Sequence, residues 1–213
     1  MSFWNKRKVF VTGATGLLGG WMVKELLGRG AEVVVLVRDS PPSCMFLRDG
    51  MDKQVTVVNG SLADGALLRR VLAEYEIQDV FHLAAQAIVG VAKRDPVGTL
   101  KANVEGTWNV LEAARAIGDV QVLLASSDKA YGASEDLPYL ESQPLCGQYP
   151  YDVSKSCADL IGKMYAVTYG IPVAITRCGN LFGGGDLNFS RTIPGVVAAT
   201  LRGERFQIRS CES

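Results

Sequence analysis

Six short apolar runs punctuate the chain, and longer amphipathic stretches lie between them. Lys8–Thr12, Glu32–Val37, Val55–Val58, Asp79–Leu83, Val120–Ser126 and Val173–Arg177 are brief and almost continuously apolar, the pattern of strands covered on both faces. Leu17–Gly28, Asp64–Tyr75, Thr99–Ile117 and Tyr151–Tyr169 carry the longer period of helices. Strands alternating with helices predict an α/β fold with a doubly wound parallel sheet, right-handed crossovers and helices on both faces. Ser40-Pro41-Pro42-Ser43 predicts a loop after the second strand, and no internal repeat or low-complexity tract is visible. In such a fold the ligand chemistry lies beyond the carboxyl ends of the strands.

The first strand is followed by Gly-Ala-Thr-Gly-Leu-Leu-Gly, with Gly13, Gly16 and Gly19 three apart. A bare strand-to-helix turn lets a pyrophosphate approach the backbone, and the helix end offers free N–H groups and a positive dipole end. The spacing GxxGxxG differs from the commonest dinucleotide fingerprint, and tight helix–strand packing is the alternative reading of the three glycines. Thr15, Leu17 and Leu18 complete this Rossmann-type loop. The second strand ends Val37-Arg38-Asp39. An acidic residue there suits the 2′-hydroxyl of NAD and an arginine the 2′-phosphate of NADP. Both are present, and the position of Arg38 directly after the strand tilts the expectation slightly to NADP. After the third strand, Ser61 and Leu62 stand where an adenine pocket would be lined.

Tyr151 and Lys155 in YDVSK lie four apart, hence on one helix face, and Pro150 suits the first helical position. A tyrosine is a poor base near its reference pKa of about 10, and a nearby ammonium favours its phenolate. Tyr-x-x-x-Lys is therefore a proton-transfer device for alcohol oxidation, although the spacing alone also fits a surface helix. Ser127 at the end of the fifth strand adds a hydroxyl that can hold a substrate oxygen, and Asp128 and Lys129 add two titratable groups beside it. Glycine loop, strand-end serine and YxxxK in this order are far more specific than any one of them.

Composition removes several other classes. The 22 basic and 22 acidic residues balance, so no charge excess points to nucleic acid or to an anionic membrane. No apolar run approaches membrane-spanning length, and the apolar run after Lys6-Arg7-Lys8 is too short for a signal peptide. The five cysteines have no metal-like spacing and read as reduced thiols of a cytoplasmic protein. With one histidine, a Ser-His-Asp triad or a His-based metal site is not expected.

The motifs TGATGLLGG, HLAA (His82–Ala85), Asn103 in KANVEGTWNVLEAA, SSDKAYG, YDVSK and RCGN (Arg177–Asn180) span nearly the whole chain. On these it resembles the extended short-chain dehydrogenase/reductases, the nucleotide-sugar epimerases and dehydratases. FWNKRKVFVTGATG, VFHLAAQ, SSDKAY and GNLFGGGD make it most similar to the CDP-glucose 4,6-dehydratases within that family. The resemblance implies a tightly held nicotinamide dinucleotide, a nucleotide-sugar substrate and a homodimer through the helices at 99–117 and 151–169. It implies catalytic roles for Ser127, Asp128, Lys129, Tyr151 and Lys155. Tyr151 takes the 4-hydroxyl proton, Ser127 holds the 4-oxygen, Asp128 protonates the departing 6-hydroxyl and Lys129 stands at the base position. A lysine base acts only when neutral, a form that the nearby Lys155 cation and an oxidised nicotinamide favour. Besides the glycine loop, Arg38, Asp39, Ser61 and Leu62, the resemblance implies dinucleotide contacts from Leu83, Ala84, Ala85, Asn103, Ser126 and Cys178. It implies substrate contacts from Gln86, Asn180 and Asp186, and makes Asn103 the prop of the active-site loop. His82 reads as a packing or hydrogen-bonding imidazole rather than a catalyst.

Three departures from the pattern stand out. Lys129 occupies a position where many dehydratases carry glutamate, and Ser61 one where relatives often carry aspartate. Family members also continue well beyond position 213. The expected organisation is a dinucleotide-binding domain over 1–178 and a truncated substrate lobe over 179–213, with apolar surface left exposed near the end of the sheet. A 4-epimerase of the same family, needing no acid/base pair, is one rival. A dinucleotide-binding sensor without turnover is the second, and an oxidoreductase of a non-sugar alcohol the third.

Overall fold

The computed structural model describes residues 2–133 and 137–207. Its centre is a sheet of six parallel strands: β1 (Lys8–Thr12), β2 (Glu32–Val37), β3 (Thr56–Asn59), β4 (Asp79–His82), β5 (Gln121–Ala125) and β6 (Val173–Thr176). Their order is β3-β2-β1-β4-β5-β6, so the chain reverses its direction of travel between β1 and β4. Lys8 pairs with Glu32 on one side of β1, and Val9 with Asp79 on the other. Such a reversal opens a crevice at the strand carboxyl ends.

Alternation along the strands divides the apolar side chains between two cores. Phe10, Val34, Leu36 and Val122 face a layer with Leu68, Val71 and Leu72 of α3 (Gly65–Glu74) and Val110 and Leu111 of a helix ending at Ile117. Val9, Val11, Val33 and Val35 face Val23 and Leu26 of α1 (Leu17–Gly28) and Phe46 of the short α2 (Met45–Arg48). Each fully buried side chain of this size stabilises the fold by about 1.5–3 kcal/mol. The doubly wound architecture is the expected one.

Several boundaries differ from the sequence reading. β3 lies one residue later than Val55–Val58, because its register with β2 runs from Val34↔Thr56 to Val37↔Asn59. β4 ends at His82 and β6 at Thr176, one residue early, and β5 is trimmed at both ends. The single helix expected over Thr99–Ile117 is longer and broken. It follows α4 (Val89–Arg94) and begins at Pro96, with the Asp95 side chain accepting from the Gly98 amide at 2.8 Å. α5 (Pro96–Leu100) passes through a π-helical turn, Lys101–Glu105, into α6 (Gly106–Ile117). Asp-Pro is a start signal that the apolar period did not reveal. α7 (Pro150–Tyr169) matches the fourth expected helix, with Pro150 in its first turn.

The chain divides into two compact units, the first ending at Gly179 and the second beginning at Asn180. The second contains α8 (Thr192–Leu201). Ile193, Val196, Val197 and Leu201 of that helix are exposed, while Pro194, Gly195 and Ala199 are buried.

Candidate active site

The glycine loop joins β1 to α1, beside the crevice. Gly13 has φ +82°, and a Cβ there would come within 2.7 Å of the Ala84 amide nitrogen. A Cβ on Gly19 would collide with the Gly13 carbonyl. The chain's own packing therefore already requires these two glycines to be bare, in line with the packing reading of the loop. Gly16 is exposed, and a Cβ there would meet only the Gly13 oxygen at 3.3 Å. Gly16 caps α1, no acidic residue stands in the first turn, and the amides of Leu17, Leu18 and Gly19 have no acceptor one turn back. A helix end of this kind can take an anion. Thr15, Leu17 and Leu18 are partly buried around it.

The loop after β4 comes to the same place. Ala84 donates its amide to the Thr12 hydroxyl at 3.2 Å, and Leu83 to the Thr12 carbonyl at 3.2 Å. Leu83, Ala84, Ala85 and Gln86 are all partly buried. Asn103, in the π-helical turn, holds Gln86 at both ends: its Oδ1 accepts from the Gln86 amide at 2.7 Å and its Nδ2 donates to the Gln86 carbonyl at 3.1 Å. The same Nδ2 donates to Ser154 Oγ at 2.8 Å, and Ser154 Oγ donates to the Tyr151 carbonyl at 2.6 Å. One buried amide thus ties the β4 loop to the first turn of α7. A π turn adds one residue to the helix and lets Asn103 face inward at that point.

Ser126 and Ser127 follow β5, and both are buried. Ser127 Oγ donates to Asp128 Oδ1 at 3.0 Å and accepts from the Lys129 amide at 3.3 Å. Asp128 to Tyr131 form a 3₁₀ turn that the sequence reading did not mark, and Lys129 on it is exposed. Lys155 is only 6% exposed, and its Nζ donates to the Ala125 carbonyl at 2.8 Å, 6.0 Å from the centre of the Tyr151 ring. Burial pushes the Lys155 ammonium down to about 8, and the nearby Cys178 opposes this. Cys178 is partly buried, and its carbonyl accepts from the Asp128 amide at 3.0 Å. Asp152 is buried next to Tyr151, and burial raises its carboxyl above the usual range.

His82 is 2% exposed and bridges Thr12 Oγ1, at 2.8 Å from Nδ1, to Thr107 Oγ1, at 3.2 Å from Nε2. Burial first, then the Lys155 charge, lowers its pKa to about 3, so it stays neutral. It touches the framework on both sides, as the sequence reading expected of a structural imidazole.

Other expected residues take quieter places. Arg38 Nε lies 2.6 Å from Asp39 Oδ2, and both side chains are exposed. Ser61 Oγ accepts from the Ala63 amide at 3.2 Å, and the Leu62 carbonyl accepts from Asn109 at 2.8 Å. In the second unit, Asn180 is exposed, and Asp186 pairs with Arg191 at 3.2 Å while accepting from the Asn188 amide. A residue the sequence reading did not weigh as functional is Arg177, whose guanidinium pairs with Asp159 at 2.8 Å.

The glycine loop, buried Ser127 and the Tyr151–Lys155 pair stand at the strand carboxyl ends of a Rossmann-type sheet. The chain belongs to the GDP-mannose 4,6 dehydratase family, which matches residues 10–210. It is 33% identical to the CDP-glucose 4,6-dehydratase of Salmonella typhimurium over 98% of this chain and 62% of that protein. It is 35% identical to the UDP-glucose 4-epimerase of Erwinia amylovora over 74% of this chain and 48% of that one. Among solved structures it is similar to a dTDP-glucose 4,6-dehydratase of Streptomyces venezuelae with NAD bound. The TM-score is 0.81 and the identity 30%, over 92% of this chain and 62% of the other. The chain spans about half to two thirds of the length of these relatives.

Proposed function

We propose that the chain is a nucleotide-sugar 4,6-dehydratase, converting an NDP-hexose of CDP-glucose type to the NDP-4-keto-6-deoxyhexose with a bound nicotinamide dinucleotide. Residues 1–178 bind the dinucleotide and 179–213 begin the substrate lobe. The observation that carries the reading is the placement of Asp128 and Lys129 on one turn directly after buried Ser127, packed on the helix of Tyr151 and Lys155. A 4-epimerase needs the serine, tyrosine and lysine but has no use for the acid/base pair.

The residues fit a nicotinamide dinucleotide. The cradle at α1 offers amides to its pyrophosphate, and Ser126 Oγ is buried without a hydrogen-bond partner among the described residues. Bound there, the dinucleotide would supply reversible hydride transfer, from sugar C4 and back to C6. The relatives' bound NAD supports a nicotinamide dinucleotide and lends nothing to the lean towards NADP. In this chain Asp39 can accept from a 2′-hydroxyl as readily as Arg38 can donate to a 2′-phosphate.

Tyr151 takes the 4-hydroxyl proton, and the Lys155 ammonium beside its ring stabilises the phenolate. Ser127 turns its proton from Asp128 to the 4-oxygen. The 4-keto group acidifies the C5 proton, which Lys129 removes and gives back to C5 when C6 is reduced. Asp128 gives a proton to the departing 6-hydroxyl, and water leaves. Gln86, Asn180 and Asp186 contact the substrate, and Leu83, Ala84, Ala85, Asn103 and Cys178 line the dinucleotide.

Exposed Trp108, Leu160, Met164 and Val167 on α6 and α7 support a homodimer through these helices. No helix among the described residues is long and apolar enough to cross a membrane. The free thiols of Cys44, Cys146, Cys157 and Cys178 support a cytoplasmic location.

Product mass tests the reading. The purified chain with dinucleotide is incubated with CDP-, dTDP-, UDP- and GDP-hexoses. Loss of one water from one of them is expected. An unchanged mass across the panel, with dinucleotide bound in the same sample, would overturn turnover by this chain.

A further inference from the structure

Tyr151, Lys155 and Asp159 lie at intervals of four on α7 and so share one face of the helix. The first two are the proposed proton-transfer pair. Asp159 is 1% exposed and receives both edges of the Arg177 guanidinium, Nε at 2.8 Å and Nη2 at 3.0 Å. The remaining amino group, Nη1, reaches the Tyr131 hydroxyl at 2.9 Å and the Glu141 carbonyl at 2.9 Å. Arg177 thus uses four of its five donors, and its guanidinium also lies 5.0 Å from the centre of the Tyr131 ring.

Tyr131 is the last residue of the turn that carries Asp128 and Lys129. Its ring stacks on Tyr139 at 4.9 Å and 12°, and Tyr139 donates its hydroxyl to the Gly132 carbonyl at 3.1 Å. The middle of the turn is held at Ala130, whose carbonyl accepts from the Cys146 amide at 3.0 Å and from Ser156 Oγ at 2.9 Å. Its start is held at Asp128, through the Cys178 carbonyl. Arg177 is next to Cys178, so one strand end holds both ends of the turn.

We propose that Arg177 is the positioning residue of the acid/base turn, tying Tyr131 to Asp159 and so holding Asp128 and Lys129 in register with Tyr151 and Lys155. The proposal rests on the dehydratase reading for its consequence, and on the geometry alone for the clamp. A planar fork fixes direction as well as distance, which a lysine at this position would not do. Proton transfer to and from sugar carbons tolerates little displacement of the donor and acceptor.

Tyr131→Phe tests this without leaving the Asp159 carboxylate unpaired, because the Arg177–Asp159 fork and the aromatic stack remain. Hydrogen exchange of the full chain reads the clamp without substrate. The Gly132 and Cys146 amides are expected to exchange about tenfold faster or more, and the β1 and β4 amides at the wild-type rate. With the sugar nucleotide that wild type dehydrates, kcat is expected to fall about ten- to a hundredfold while KM and dinucleotide affinity hold. Arg177→Lys is expected to show the same split. Turn amides that exchange at the wild-type rate overturn the proposal. So does a fall in kcat matched by a general acceleration of exchange, the mark of lost stability alone. If wild type dehydrates no nucleotide sugar, the dehydratase reading falls, and the exchange of the turn amides alone decides the clamp.

Discussion

The Thr12 hydroxyl and His82 Nδ1 stand 2.8 Å apart, and this contact fixes where every proton along the chain of bonds must lie. Thr107 spends its proton on the Asn103 carbonyl at 2.6 Å, so it accepts from His82 Nε2. His82 is then the Nε2–H tautomer, and Nδ1 accepts from Thr12, which in turn accepts the Ala84 amide. A second proton on His82 would leave the Thr12 hydroxyl facing two donors. The imidazole has its pKa lowered from 6.5 to about 3, so the unfolded chain binds this proton first on acidification. The stability this gives is complete above about pH 6.5 and is lost as pH falls towards 3. The expected slope from this group approaches about 1.4 kcal/mol per pH unit. Urea unfolding between pH 4 and 7, wild type against His82→Gln, should show the difference in slope. Parallel pH curves would refute a neutral buried His82.

Lys155 has the same sign at higher pH. Burial lowers its ammonium from 10.5 to about 8, so the folded chain gives up this proton before the unfolded chain does. Folding is therefore disfavoured by this group below about pH 8 and is relieved as pH rises towards 10.5. Lys155→Met should stabilise the protein at pH 7 by about 1–2 kcal/mol, less the lost bond to Ala125, and abolish turnover. Denaturant midpoints check this, and a destabilised Lys155→Met would mean that the bond to Ala125 outweighs the desolvation.

The glycine loop separates by cause. Gly13→Ala puts a side chain at φ +82° and within 2.7 Å of the Ala84 nitrogen, and should cost about 1–3 kcal/mol or more in folding. Gly16→Ala meets one oxygen at 3.3 Å at an exposed site, and should leave stability within about 0.5 kcal/mol while weakening the dinucleotide. Thermal unfolding and dinucleotide titration of both variants decide it. A Gly16→Ala chain with full affinity would remove Gly16 from the pyrophosphate site.

The sheet was legible because its central strands β1, β2 and β4 are buried on both faces and read as apolar runs whatever their neighbours. The Tyr151–Lys155 face of α7 was legible because a period of four needs no partner. What escaped the sequence was set by partners distant in the chain. Asn103 was named as a prop by the resemblance, but its partners Gln86 and Ser154, which meet it on a π turn, were not. Arg177 acquires its place from Asp159, Tyr131 and Glu141, three segments with no common local signal. The sequence left packing and a ligand open for Gly13 and Gly19, because nothing in it places Ala84 against Gly13 or the Gly13 carbonyl against Gly19.

On the proposed reading, the exposed Arg38–Asp39 pair after β2 is what meets the adenosine ribose. Removing Asp39 frees the guanidinium and removes the acceptor for a 2′-hydroxyl. Asp39→Ala should shift the NAD/NADP affinity ratio towards NADP by about tenfold, and Arg38→Ala should shift it the other way. Calorimetric titration with both dinucleotides measures the ratio. A ratio indifferent to both substitutions would place the ribose elsewhere.

Leu160, Met164 and Val167 are exposed at helical spacing along α7, and Trp108 is exposed on α6, which packs against α7. A stripe of this kind costs solubility when left in water, and a second copy related by a twofold axis would cover it with the same stripe. In the free protomer about half of Leu160 and of Met164 already stands in water, so charging them should alter folding by no more than about 0.5–1 kcal/mol. In a dimer the same charges would lie opposite their own copies and oppose association. Leu160→Glu with Met164→Glu should therefore convert a dimer to a monomer at unchanged thermal stability of the protomer. Sedimentation equilibrium over a range of concentrations reads both states. A wild-type chain that sediments as a monomer at every concentration would remove α7 as the dimer face of this chain.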